Sequence, residues 1–522
     1  MRKKLLLSVI TILLFQFTNA QAPTAIWQKC YGGSNEDYIM TASIESSDGG
    51  LVVGLQTSSN DGDISGNHGN LDISLIKINA TGIVQWQKCY GGTGHESITK
   101  LIQTTDGGYL IFGETDSIDG DVSGNHGDKD AWIVKINAIG TIQWQKCVGG
   151  NGSESFGDII PTSDGGYIAC GYTYSINNGD VLGNTSSGGW VIKLNDLGVI
   201  QWQKVYDTDS ATSKFSRILQ ASDGGYVLAG FTQLASFPGF HGGWTDILVA
   251  KINQTGTIQW QKCYGGSGAE DGLHSIITTN DGGYVFSSQT ESNDGDVSGN
   301  HGTSDCWVVK LDALGTILGQ NCYGGSGGEG GGYIQKTLDG GMTISISTDS
   351  NDGNVSGNHG SDDVWVIKFS STGVIQWQKC FGGTGDDGGG LFQLADGTYM
   401  LGGGTYSNNG DISGNHGTTT SDGFLIKLTV DNLATENFNT EIISIYPNPA
   451  NDHITIDCGN LANVTGCSIK IFNELGQEVF SSAMNTQQYS VPLNTWTGNG
   501  LYLVKIYDAS NNVINTKKIV LQ

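Results

Sequence analysis

Ile258-Gln259-Trp260-Gln261-Lys262-Cys263-Tyr264-Gly265-Gly266, followed by Asp281-Gly282-Gly283, decides the fold because the chain keeps repeating it. Close copies of the nonapeptide surround Trp86, Trp144 and Trp377, with small departures around Trp27 and Trp202. A degenerate copy occupies residues 317–325. The partner turns begin at Asp48, Asp106, Asp164, Asp223, Asp281 and Asp339, and as Asp-Gly-Thr at Asp396. Successive spacings are 58, 58, 59, 58, 58 and 57 residues, so one unit recurs seven times. Self-similarity at such a period marks supersecondary units that bury their faces on one another.

Each unit holds four strand-like runs. In the second they cover residues 97–104, 109–115, 131–137 and 141–148, rich in β-branched and aromatic side chains and separated by glycine turns. Tight turns join the first two and the last two, and a polar loop over residues 116–130 joins the middle pair. No segment keeps a helical period. The expected fold is all-β, a seven-bladed β-propeller. The chain ends support a ring. Residues 26–30 are a fourth strand with no first three before them, and residues 423–428 a third strand with no fourth after them. Together they complete one blade and remove the exposed edges of an open array, with two smaller propellers as the rival.

Glycine is 81 of 522 residues and proline only 6, a turn-rich β composition rather than that of a disordered linker. The 51 acids against 25 bases give a net charge of −26, which argues against nucleic acid or an anionic membrane as partner. Residues 1–20 carry the marks of a secretory signal: Arg2, Lys3 and Lys4, an apolar run, then Thr18-Asn19-Ala20. The mature chain is expected to be exported, without a membrane span. Cys30, Cys89, Cys147, Cys263, Cys322 and Cys380 share one repeat position, and Val205 takes the seventh. They are expected to be buried small apolar residues, too far apart to bridge. Cys458 and Cys467 are candidates for a hairpin disulfide.

The propeller is expected over residues 21–430, with a polar linker at 431–440. Residues 441–522 form a different module, a small β-sandwich-like domain. Tyr446-Pro447-Asn448-Pro449-Ala450, then IKIFNELGQEV, GNGLYLVKIYD and the ending KKIVLQ resemble the type A C-terminal sorting domain of the type IX secretion system of Bacteroidetes. That resemblance implies export across the outer membrane, contact with the type IX machinery, and a place at the cell surface or outside the cell. The repeats themselves resemble those of secreted Bacteroidetes proteins that carry this domain, some labelled endoglucanase.

Three motifs are candidates for chemistry. The long loops space oxygens at positions 1, 3, 5 and 12, as calcium loops do: Asp61, Asp63, Ser65 and Asp72; Asp119, Asp121, Ser123 and Asp130; Asp294, Asp296, Ser298 and Asp305; Asp352, Asn354, Ser356 and Asp363. The alternative is an Asx-turn loop that bonds its own backbone. The histidines after Asn67, Asn125, Asn300, Asn358 and Asn415 lack a second ligand at zinc spacing. The crossovers carry Glu36, Glu96, Glu154, Glu270, Glu329 and Asp387, a ring of acids that would serve glycoside hydrolysis only if two stood apart as a pair. No catalytic residue is singled out. The fourth unit departs most, exchanging the acidic loop for Phe237, Phe240 and Trp244 while gaining Lys214 and Arg217. These five are the candidate ligand contacts, since aromatic rings stack on sugars or anchor a protein. The expected function is a secreted binding or structural module for a glycan or protein. The alternative is a carbohydrate-active hydrolase on the same scaffold.

Overall fold

The computed structural model describes residues 21–207, 213–235, 237–417, 419–431, 444–457, 467–473, 477–484, 486, 488–493, 500–507 and 513–521. All regular structure among them is β-strand, and no helix is long and apolar enough to cross a membrane. The proposed signal, the linker beyond Asp431 and Cys458 lie outside the described residues. The chain forms two compact units, one over residues 19–431 and one dominated by residues 432–522.

The first unit holds seven four-stranded antiparallel sheets, propeller-like blades in chain order. Sheet 2 is Glu96–Gln103, Tyr109–Thr115, Asp130–Ile136 and Ile142–Val148, within a residue of the strands read from the repeat. Sheet 7 is composite. Its Asp387–Gln393, Tyr399–Thr405 and Asp422–Leu428 are completed by Ala25–Tyr31, with Trp27 opposite Lys427 and Tyr31 opposite Gly423.

The Asp-Gly-Gly turn explains itself locally. Gly107 sits at φ 80°, where a side chain would be strained, and its N–H bonds Thr104 O at 2.9 Å. A Cβ on Gly108 would lie 2.3 Å from Ile136 O, so the second glycine admits the third strand. Into the same turn reaches a lysine from each third strand: Lys77, Lys135, Lys193, Lys251, Lys310, Lys368 and Lys427 pair with the aspartate opening the turn.

The core lies between neighbouring sheets. Val52, Ile73, Leu75 and Tyr90 of sheet 1 meet Ile98, Ile111, Trp132 and Val134 of sheet 2. Sheets 7 and 1 meet in the same way, through Leu394, Met400 and Leu425 against Ile39, Val53 and Leu55. Second and third strands are buried on both faces, so they run continuously apolar rather than alternating. The repeat cysteines join this core. Burial, then the charge of Asp72, pushes the Cys89 thiol up to about 12. The second unit has two sheets, Ser444–Tyr446, His453–Asp457 and Gln488–Pro492 in one, and Glu478–Ala483, Ser468–Phe472, Gly500–Tyr507 and Val513–Leu521 in the other. Ile454, Ile456, Ile469, Ile471 and Val504 fill its core.

Candidate functional site

The first strands of sheets 1 to 6 converge on a cavity of about 720 Å³. Its wall has a charged tier at one repeat register. Lys100 in sheet 2 faces Phe112, Asp158 in sheet 3 faces Cys170, and Arg217 in sheet 4 faces Ala229. Lys100 Nζ and Asp158 Oδ1 are 2.8 Å apart. Arg217 is held by carbonyls instead: Nε donates to His274 O at 2.6 Å, and one terminal nitrogen to Ser216 O at 2.6 Å and Gly157 O at 3.2 Å. Sheets 3 and 4 come so close here that a Cβ on Gly157 would stand 2.5 Å from Ser216 Cα. His274 stacks edge-on with Tyr333 at 4.7 Å. Burial, and then the Arg217 charge, lowers its imidazole to about 4, so it is neutral at pH 7.

At the rim, the next cross-strand pairs are Ser97 with Glu114, Ser155 with Tyr172, and Lys214 with Phe231. Lys214 Nζ lies 4.1 Å from the centroid of Tyr172 and 5.9 Å from that of Tyr174, and the two rings meet edge-on at 5.2 Å. Glu114 accepts a hydrogen bond from Ser155 and pairs with Lys129 at 3.3 Å.

The crossover acids face inward at the junctions between sheets. Glu96 accepts from Gly92 N at 2.9 Å and bonds Thr115 Oγ, while its own N–H donates to Leu71 O at 2.7 Å across the junction. Beside it His68 donates through both its main-chain N–H and Nδ1 to Asp72 Oδ2, at 3.0 and 2.7 Å. A Cβ on Gly91 would lie 2.4 Å from Glu96 Oε2 and 2.8 Å from Asp72 Oδ1, so the glycine lets both carboxylates in. This His–Asp–Glu clasp recurs with His126, Asp130 and Glu154; His241, Asp246 and Glu270; His301, Asp305 and Glu329; His359, Asp363 and Asp387; His416, Asp422 and Asp37. In the first unit it is Asp37, not Glu36, that takes the crossover position. Glu36 instead accepts from Tyr38, Tyr406 and Ser421. In all six clasps the aspartate Oδ1 is buried without a protein partner. Burial raises Asp72, Asp130, Asp246, Asp363 and Asp422, and likewise Glu96, Glu270, Asp37 and Asp387. The junction between sheets 3 and 4 carries Gly188 and Ser213 in place of the two acids, and Ser213 Oγ bonds Thr232 Oγ1 at 2.9 Å.

Most of the residues singled out for calcium meet a protein group of their own. Position 1 reaches the preceding crossover: Asp61 accepts from Ser34 N, Asp119 from Thr93 N, Asp294 from Ser267 N and Asp352 from Ser326 N, all within 2.8 Å. At position 3, Asp121 and Asn354 accept from Gly91 N and Gly324 N at 3.4 and 3.3 Å, and Asp296 stands 3.6 Å from His241 Nε2. Asp63, half-buried, occupies this place in sheet 1. Ser65, Ser123 and Ser298 meet Gln87, Gln145 and Gln320 of the outermost strands, and Ser356 O accepts from Cys380 Sγ. Position 12 (Asp72, Asp130, Asp305, Asp363) belongs to the clasp. Among the described residues no three or more His, Cys, Asp or Glu side chains are gathered to hold a metal ion.

The five candidate contacts of the fourth unit divide. Lys214 and Arg217 stand at the rim and wall of the cavity. Phe237 packs with Val205, Tyr206, Phe215 and Leu248 in the core between sheets 3 and 4. Phe240 is half-buried, its N–H bonded to Phe237 O at 3.1 Å, and Trp244 is 81% exposed. The aromatic rings beside Lys214 are Tyr172 and Tyr174, which the reading of the sequence missed. Their signal was present: Tyr172 stands where neighbouring units have Glu114, Phe231 or Gln289, a varying position in a repeated frame.

Residues 444–522 match the secretion system C-terminal sorting domain family. No curated protein matches the chain. Among solved structures, a Bacteroides caccae protein of unknown function aligns at 11% identity over 67% of this chain and 94% of its own, with a TM-score of 0.36. A Dyadobacter fermentans protein of unknown function aligns at 13% over 65% and 95%, TM-score 0.39. PorZ, a surface component of the type IX secretion system of Porphyromonas gingivalis, aligns at 12% over 91% and 69%, TM-score 0.29. Residues 444–522 are therefore a sorting domain that directs the chain through the type IX system to the cell surface or the extracellular space.

Proposed function

We propose that residues 21–430 form a closed seven-bladed propeller that works outside the cell as a binding module, with its ligand, a glycan or a protein segment, at the central cavity. The observation that carries this is a contrast within the repeat. The outer frame of turns, lysines and clasps is copied almost unchanged, while the cavity tier varies from sheet to sheet: Lys100, Asp158, Arg217, Ser275 and Tyr333. A fold that needed only to close would tolerate one common lining, and ligand sites are concave with a few placed polar groups. The pairing of Ala25–Tyr31 with Asp422–Leu428 and the shared core of sheets 7 and 1 support closure. Binding is favoured over hydrolysis because the crossover acids are engaged by glycine amides at the junctions. The test is a screen of the purified mature chain against a glycan array and extracellular protein extracts, repeated with Arg217→Leu. A ligand lost in the variant at unchanged melting temperature is expected. Equal binding by both proteins would move the site away from the cavity.

A further inference from the structure

Resting on the binding reading above, we propose that the ligand is an anionic sugar, carboxylated or sulfated, read at the rim between sheets 3 and 4 by Lys214, Tyr172 and Tyr174. The argument begins with the junction that differs. Six junctions bury two carboxylates each. This one has Gly188 and Ser213 in their places, and the loops around it supply no histidine clasp. The six backbone links across junctions, such as Glu96 N to Leu71 O, have no counterpart here among the described residues. The two clasp acids have therefore been lost together, at one place, from a frame that keeps them at the other six junctions, while Asp209 of this crossover lies outside the described residues.

The same junction gains cations. Lys100 and Lys129 are neutralised by Asp158 and Glu114, but Lys214 rests on an aromatic ring and Arg217 on three neutral carbonyls. Neither has a carboxylate within ion-pair distance among the described residues. On a chain of net charge −26, a rim where the two clasp carboxylates are replaced and two cations stand without an ion-pair partner among the described residues is where an anion is drawn. Beside the cation stands an aromatic pair: Tyr174 is 48% exposed and meets Tyr172 edge-on. The C–H face of a pyranose lies on such a ring, while Lys214 Nζ gives a charge-assisted hydrogen bond to a carboxylate or sulfate. An acidic peptide would use the lysine but has no need of the ring pair next to it. The adjoining cavity, about 720 Å³, accommodates further sugar units.

The experiment measures binding of the mature chain to three probes by calorimetry: a galacturonic acid trisaccharide, its methyl ester, and a sulfated chondroitin tetrasaccharide. At least one acidic probe is expected to bind, with the ester at least about tenfold weaker where the carboxylate is read. Lys214→Gln is expected to weaken the acidic probe about tenfold and Tyr174→Ala several-fold. Lys204→Gln, the same charge change on the outermost strand of sheet 3, should leave binding unaltered. Melting temperatures should be unchanged in all three variants. Three results would overturn the proposal: no binding of either acidic probe, equal binding of the methyl ester, or binding that Lys214→Gln leaves intact. Polyglutamate binding in place of the sugars, with the same dependence on Lys214, would overturn the sugar while keeping the cation. A neutral glycan found by array and lost with Arg217→Leu would sink this inference alone and leave the binding module standing.

Discussion

Lysine is an unexpected residue in a strand buried on both faces, and here it recurs in the third strand of each of the seven sheets. Lys368 is the extreme case. Its side chain is fully buried, with Nζ 2.8 Å from Asp339 Oδ2, 2.9 Å from Gln376 Oε1 and 3.0 Å from Phe369 O. An ammonium so placed depends on its counter-ion, because removing one partner strands a buried charge. Asp339→Ala is therefore expected to destabilise the protein by about 2 kcal/mol, the two remaining acceptors softening the loss. Lys310 is 45% exposed at the equivalent place, so Asp281→Ala should barely move the urea midpoint. Equal midpoints for the two variants would show that the lysine is not sustained by its aspartate. The pairing was open to view in the sequence, since a cation inside an apolar run needs a partner. The run itself was taken as ordinary strand, and the Asp-Gly-Gly turn as a turn alone.

At the scale of strands and loops, the repeat was legible because periodicity constrains backbone and burial alike. The second sheet's strands fell within a residue of their expected limits. The loop chemistry was harder to read. Alternate oxygens suit a calcium ion or a set of backbone acceptors equally well, and only the crossover, supplied by a distant stretch, decides where they point. The clasps make a testable statement about pH. Burial raises the Glu96 carboxyl above its ordinary value, so its contribution is fully present below the unfolded value near 4.5 and is lost as pH rises through the folded one. Glu96→Gln keeps an acceptor for Gly92 N and has no charge to bury. It should therefore gain on the parent in melting temperature between pH 5 and 8 and lose that advantage near pH 4. A difference constant with pH would mean that Glu96 is ionised at no cost. Phe237, Phe240 and Trp244 were grouped by proximity in sequence. The structure divides them: the Phe237 ring fills the apolar gap between sheets 3 and 4, Phe240 is half-buried and Trp244 stays exposed.

For the whole molecule, the composite seventh sheet is the feature on which the fold rests. Ala25–Tyr31 covers the edge that Asp422–Leu428 would otherwise present. Deleting residues 23–31 should lower the melting temperature and produce aggregates detectable by light scattering. A monomer that melts cooperatively at the parent temperature would refute closure by that strand. The tail was legible as an export domain because its motifs are local, whereas the cavity lining depends on six strands spread over the chain. No short stretch of sequence contains it.

That seventh sheet also sets an order of events. The strand made first finds its partner some four hundred positions later, as the contact of Thr24 N with Thr429 Oγ1 illustrates, and a ribosome delivers the N-terminus first. Sheets 1 to 6 can form as they emerge, each from neighbouring segments. The final seam cannot, and pairings of such long reach are slow. For that interval the nascent protein carries two raw strand edges, the places where one chain would pair with another. Its acidity gives the waiting chains a reason to stay apart: mutual repulsion at −26 keeps neighbours at a distance until each has sealed itself.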